Sequence, residues 1–240
     1  MMSMGVMFMI LGWSNQTQSE SPEGHHTRQK ERDEMVDSQI VAKGVTEQAV
    51  IAAMRRVPRH RFIPNTESED AYGDFPLAIG HKQTISQPFI VAYMTQALKL
   101  QPNDTVLEIG TGSGYQAAVL AELGVNVFTI EIVKPLGKKA KEILAELGYS
   151  NVTVRIGDGY QGWPEESPFD AIILTAAPDH IPSPLLEQLA IGGRLILPVG
   201  DYLQRLVLIH RTTDGYQQID LLPVAFVPMT GESEKPSPSQ

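Results

Sequence analysis

Val106-Leu107-Glu108-Ile109-Gly110-Thr111-Gly112-Ser113-Gly114-Tyr115 is the stretch on which the fold turns. A short apolar run carrying one acid reads as a buried strand. Glycines directly after it let the backbone turn tightly and approach a ligand at the N-terminus of the next helix. The spacing departs from the dinucleotide fingerprint G-x-G-x-x-G, because the third glycine comes one position early and Tyr115 stands in its place. Taken alone, such a turn is as often structural as functional.

Downstream of this turn the pattern alternates. A helix is expected over residues 115–123 and strands over 127–132, 152–156, 169–176 and 194–199. Leu136, Ala140, Ile143, Leu144 and Leu147 form a helical stripe closed by Gly148, and Ser183 and Pro184 open a short helix over 185–189. This rhythm predicts a parallel sheet with helices on both faces. Segments 206–210 and 219–227 instead flank a turn at Asp214-Gly215 with no helix between them, so the sheet should finish on an antiparallel hairpin.

Upstream, residues 88–98 are apolar on most faces and read as a buried helix whose N-terminus lies at Ser86-Gln87-Pro88. Val50, Ala53, Met54 and Val57 mark a helix stopped by Pro58, and Val36, Ile40 and Val41 an earlier one ending at Gly44. The connection over 59–85 is long and reads as partly irregular, a length that usually signals function or a lid. The folded domain is expected to span residues 31–231, with an extension over 1–30 and a disordered tail over 232–240. Met1 to Trp13 is apolar, yet shorter than a spanning helix and without a preceding Lys or Arg. A disordered extension is the first reading and a degenerate export signal the alternative.

Composition narrows the function. The 28 acidic residues against 19 basic ones give a formal net charge of -9, which argues against a general affinity for nucleic acid. The chain has no cysteine, so disulfides, thiolate catalysis and cysteine-held metals are excluded. His25, His26, His60, His81, His180 and His210 lack ligand spacing, and no metal site is expected. Arg55, Arg56, Arg59 and Arg61 read first as a solvated basic face, with substrate attraction as the alternative. Tyr115 and Trp163 read as packing residues.

Three acids lie near the ends of successive expected strands. Glu108 beside the glycine turn suits a cofactor with a positively charged tail and would repel a diphosphate. Glu131 follows Gly110 by about 20 residues, the spacing at which an acid grips ribose hydroxyls. Asp158, between Gly157 and Gly159, can accept from an adenine amino group or simply form a turn. Ligands of open α/β sheets sit at that carboxyl edge. An adenosyl, charge-bearing, phosphate-free ligand fits the three together.

Several stretches resemble one family, the protein-L-isoaspartate O-methyltransferases. They are Gln83-Thr84-Ile85-Ser86-Gln87-Pro88, the glycine turn, Gly157-Asp158-Gly159-Tyr160-Gln161-Gly162-Trp163, residues 169–177, residues 192–200, and Phe226-Val227-Pro228-Met229-Thr230-Gly231. The similarity runs from about Glu34 to Gly231, and the Thr-Ile-Ser-x-Pro element is its most specific part. Met229, where leucine is commoner, and the N-terminal extension depart from the family pattern.

The resemblance implies a Rossmann-like class I S-adenosylmethionine methyltransferase fold with N-terminal helices and S-adenosyl-L-methionine as cofactor. The implied activity is methyl transfer to the free carboxylate of L-isoaspartyl residues, which starts their repair, with D-aspartyl residues an open second substrate. Residue by residue, it implies that Gln83, Thr84, Ile85, Glu108, Gly110, Gly112, Gly114, Glu131, Ile132, Asp158, Gly159 and Thr230 bind the cofactor. Phe226, Val227 and Pro228 would lie beside the substrate, and Ser86 would orient its carboxylate. The implied partners are damaged proteins and peptides containing isoaspartyl residues. Neither nucleic acid nor stable membrane association is expected, and a cytoplasmic monomer is. The rivals are a methyltransferase for RNA or a small molecule and a noncatalytic adenosyl-binding module. Against an amine substrate, Thr175-Ala176-Ala177-Pro178 replaces the Asn/Asp-Pro-Pro-aromatic element common in amino-group methyltransferases.

Overall fold

The computed structural model describes residues 28–232, so the expectations for residues 1–27 and for the tail from 233 onward lie outside the described residues. The first helix among the described residues, α1 (Gln29–Met35), starts inside the stretch read as an extension. It runs on through a π-turn over Val36–Ile40 and a 3-10 turn over Val41–Lys43, ending at Gly44 as the sequence predicts. Helix α2 (Gln48–Arg56) stops before Pro58, with Val50, Ala53 and Met54 buried.

The 59–85 connection is more ordered than its composition suggests. Two 3-10 turns, Arg59–Phe62 and Glu69–Tyr72, lead into an antiparallel hairpin of β1 (Leu77–Gly80) and β2 (Gln83–Ile85). Its turn places His81 and Lys82 at φ 51° and 60°. Side chains rarely adopt that region, so the residues that usually announce such a turn are absent from the sequence.

Helix α3 (Pro88–Leu98) precedes the main sheet. There β3 (Thr105–Ile109), α4 (Tyr115–Ala121), β4 (Asn126–Glu131), α5 (Lys134–Glu146) and β5 (Val152–Ile156) alternate as expected. Next come β6 (Phe169–Leu174), α6 (Ser183–Glu187), β7 (Leu189–Val199), β8 (Gln204–Thr212) and β9 (Gly215–Val224). The strand order is β5-β4-β3-β6-β7-β8-β9. The first five strands are parallel, and β8 and β9 form the antiparallel finish. Strand β7 begins five residues before the expected Arg194. Leu189 pairs with Phe169, and the register then shifts before Ala171 meets Arg194, which hides the early part of the strand from any periodic reading.

Period-two alternation divides the core. Val106, Ala171 and Ile173 face a cluster shared with α1 to α5, whereas Leu107, Ile109, Ile172 and Leu174 face a second cluster with Leu185 of α6. Both faces are therefore covered, as a parallel sheet requires. The coverage is unequal, because the second face carries only the short α6 and loop residues such as Tyr160, Trp163 and Ile181.

Candidate active site

The carboxyl ends of β3, β4 and β6 open into a cleft. Gly110, Gly112, Glu131, Ile132, Gly159 and Thr230 line it, as do Gln83 and Thr84 from the β1–β2 hairpin. Gly110 sits at φ 97°, and a Cβ there would strike the Thr175 hydroxyl. That hydroxyl donates to the Gly110 carbonyl at 2.5 Å, tying the end of β6 to the glycine turn. Thr175 is a site residue that sequence reasoning quoted only as a contrast with amine methyltransferases.

Glu131 ends β4 and is 4% exposed. Its two oxygens accept from the Gly112 and Val133 amides, each at 2.7 Å. Desolvation raises its pKa, and the amide bonds oppose that shift. Each carboxylate oxygen keeps an acceptor site for a ligand hydroxyl. No lysine or arginine stands among the residues lining the cleft. One carboxylate without a cation suits a nucleoside bearing positive charge and disfavours a diphosphate.

Four of the expected cofactor residues do not line the cleft. Ile85 is buried in the first core cluster. Gly114 caps α4 at φ 90°, and a Cβ there would press on Leu144 and Ala140, so this glycine serves the packing of α4 on α5. Asp158 accepts from the Tyr160 amide at 2.9 Å and the Glu232 amide at 2.7 Å, which ties it to its own turn and to the C-terminal segment. Glu108 lies one residue inside β3, fully buried beside the Thr129 hydroxyl.

Burial pushes the Glu108 pKa up to about 8, so its carboxyl is mostly protonated at neutral pH and offers a cofactor tail no charge. This corrects the electrostatic argument made from its position in the sequence. The folded state then binds a proton between the ordinary carboxylate range and pH 8 that the unfolded chain has released. The native protein should therefore lose stability as pH rises through that window. Glu108→Gln, which cannot titrate, is expected to gain on the native protein over the same range and to level off above it. Urea melts at a series of pH values check this, and a difference independent of pH would mean that Glu108 folds ionised.

A second groove adjoins the first. Ser86, Gln87, Val224 and Phe226 line it, and Thr84, Thr175 and Val227 belong to both walls. Pro228, expected beside the substrate, lies in the wall of the cofactor cleft instead. The segment carrying these residues is stitched to the end of β6. The Ala177 amide donates to the Val227 carbonyl at 2.9 Å, and the Met229 amide to the Ala177 carbonyl at 2.7 Å.

Ser86 is half-buried and is not a helix cap. The N-cap of α3 is Gln87, and the Phe89 amide is capped by Asp74 across the chain at 3.1 Å. This placement leaves the Ser86 hydroxyl free of a capping duty. It also sets the Asp74 carboxylate at the positive end of the helix dipole, where a substrate anion would otherwise gain from it. The arginine cluster disperses in the same region. Arg55 pairs with Asp33 and Asp37, Arg56 with Glu122 and Arg61 with Glu146, while Arg59 is fully buried rather than solvated.

Comparison with known proteins agrees with this geometry. Residues 30–234 match the family described as Protein-L-isoaspartate(D-aspartate) O-methyltransferase. A protein-L-isoaspartate O-methyltransferase of Gloeobacter violaceus is 59% identical over 200 residues, covering 82% of this chain and 98% of the relative. One from Picosynechococcus is 55% identical over 202 residues, covering 84% and 91%. Among solved structures, a protein-L-isoaspartate O-methyltransferase superposes with TM-score 0.77 at 28% identity, over 85% of this chain and 66% of that one. A Plasmodium falciparum structure of that description, in complex with S-adenosyl-L-homocysteine, has TM-score 0.72 at 27% identity over 83% and 98%. The glycine turn, the Glu131 carboxylate and the adjoining Ser86 groove thus stand in a chain that belongs to the protein-L-isoaspartate(D-aspartate) O-methyltransferase family.

Proposed function

We propose that the chain methylates the free carboxylate of L-isoaspartyl residues in damaged proteins, using S-adenosyl-L-methionine. The observation that carries this reading is the junction of the two cavities at Thr84, Thr175 and Val227, with Ser86 in the outer wall. When bound, the cofactor supplies an electrophilic methyl group on a sulfonium. The remaining work falls to the chain. Gly110 and Gly112 admit the cofactor to the backbone, and Glu131 takes its ribose hydroxyls. Ile132, Gly159 and Thr230 complete the cleft, with Gln83 and Thr84 as its roof.

Ser86 donates its hydroxyl to one carboxylate oxygen and so aims the other. Phe226 and Val227 shield the junction from water. An isoaspartyl carboxyl group with a pKa near 4 is already ionised at neutral pH, so no proton has to be removed before attack. In keeping with this, neither wall contains histidine or lysine. Rate is then a matter of orientation and exclusion of water.

Damaged proteins and peptides are the partners in this reading, with no role for nucleic acid or a membrane, and the enzyme acts as a monomer in the cytoplasm. The net charge of -9 supports the exclusion of phosphate backbones. No helix among the described residues is long and apolar enough to cross a membrane. An isoaspartyl residue routes the main chain through its side chain, placing the free carboxylate one methylene closer to the backbone. A groove that holds the backbone therefore presents only that carboxylate at the right depth. Isoaspartyl peptides of unrelated sequence should be methylated at least about 100-fold better than their aspartyl counterparts, as judged by kcat/KM. Equal rates on paired peptides would remove the repair substrate while leaving a carboxyl methyltransferase.

A further inference from the structure

Beyond the cofactor's own sulfonium, the groove walls supply no positive charge to meet the substrate carboxylate. Their polar side chains are those of Thr84, Ser86, Gln87 and Thr175, all uncharged. The helix N-terminus behind them is already met by Asp74, whose carboxylate is further engaged by Lys43 and by Gln87 at 3.0 Å. We propose that the Arg59 guanidinium, buried behind the Ser86 turn, positions that turn and supplies the fixed positive charge whose field favours a carboxylate in the groove. This inference rests on the reading of the groove as the isoaspartyl site.

Arg59 is 0% exposed. Its Nη1 donates to the Ser86 carbonyl at 2.8 Å, its Nε to Ala71 at 3.0 Å and its Nη2 to Phe75 at 3.3 Å. Each acceptor is a main-chain carbonyl, and no carboxylate pairs with Arg59 among the described residues. The guanidinium also lies 5.1 Å from the centre of the Tyr115 ring, at the start of the helix that follows the glycine turn. Burial lowers its pKa to about 10, which leaves it cationic at neutral pH.

Burying a cation without a paired anion is expensive, and a protein that needed only a spacer there could use an apolar side chain. Three carbonyls solvate the guanidinium but do not neutralise it, and the Asp74 carboxylate, which acts on its charge from nearby, is itself engaged by Lys43. The remaining field extends through the Ser86 peptide to the groove. Arg59 does not touch the substrate. It positions the Ser86 turn, and its charge reaches the carboxylate across that turn.

A merely structural Arg59 would affect charged and neutral ligands alike, so the test compares the two. An isoaspartyl peptide and its counterpart with the free carboxylate replaced by a carboxamide are titrated into the protein by calorimetry, with S-adenosyl-L-homocysteine present to prevent turnover. Arg59→Gln should weaken the acid on the order of 30-fold, the effect of unit charges about 8 Å apart at intermediate dielectric. The carboxamide should change by less than about threefold. Arg59→Lys, titrated near pH 6 so that the buried amine stays protonated, keeps the charge and loses the fork, so it should retain the preference for acid over amide even if its melting temperature falls. Equal loss for both peptides in the Gln variant overturns the proposal. If that variant does not fold, loss of the acid preference in the Lys variant overturns it equally. Native protein that fails to methylate the isoaspartyl peptide would instead sink the reading of the groove.

Discussion

Glu131→Ala is expected to weaken S-adenosylmethionine binding by roughly 3 kcal/mol, a loss of more than about 100-fold in affinity. Two effects combine. The variant removes the acceptor for the ribose hydroxyls, a charge-assisted bond in a nearly water-free wall. It also releases the Gly112 and Val133 amides, so the glycine turn and the start of α5 lose their common anchor. Glu131→Gln preserves the shape of the side chain and one acceptor oxygen, so it keeps one of the two amide anchors and should lose less. There is a pH signature as well. Burial raises the Glu131 pKa, and hydroxyl donors favour the ionised form. Affinity should therefore begin to fall on acidification at a higher pH than an exposed glutamate would dictate. Calorimetry on folded variants decides the matter, and unchanged affinity in Glu131→Ala would take this residue out of the site.

What could be read in advance followed the range over which each feature is encoded. The alternation of strands and helices, the glycine turn and the position of Glu131 depend on residues within about 20 of one another, and they stand where periodicity and spacing place them. Glu108 failed by a single register position. The same acid at the strand end would meet the cleft, but one residue inside β3 it faces the core. Asp158 was legible as an acid at the sheet edge, yet its oxygens are engaged by Tyr160 and Glu232, the latter 74 residues away. The Asp74 cap on α3 and the three carbonyls around Arg59 likewise join segments that no local pattern connects. An arginine in a basic run reads as solvated for the same reason. Its burial is decided by the Ala71, Phe75 and Ser86 backbone, which composition does not describe.

Ser86→Ala is expected to lower kcat roughly 100-fold on an isoaspartyl peptide while changing cofactor affinity by less than about threefold. A hydrogen bond to an ionised group contributes about 1.5–3 kcal/mol, and a misaligned nucleophile loses rate beyond the bond itself. The cofactor is spared because Ser86 lines only the outer groove. The Ser86 carbonyl still accepts from Arg59 in the variant, so the turn keeps its place and the loss reports the hydroxyl alone. Asp74 caps α3 whatever stands at position 86, so the helix should not fray and the melting temperature should barely move. The pH profile provides a second reading. With the nucleophile already ionised and no histidine in either wall, kcat should show no step near pH 6.5 in the native enzyme or in the variant. Ser86→Thr retains the hydroxyl and adds a methyl group, so it should recover part of the lost rate if the groove accommodates the extra carbon. Native turnover in Ser86→Ala would reduce Ser86 to a residue of the turn, and orientation of the carboxylate would then fall to Thr84, since the Thr175 hydroxyl in the same wall already donates to the Gly110 carbonyl.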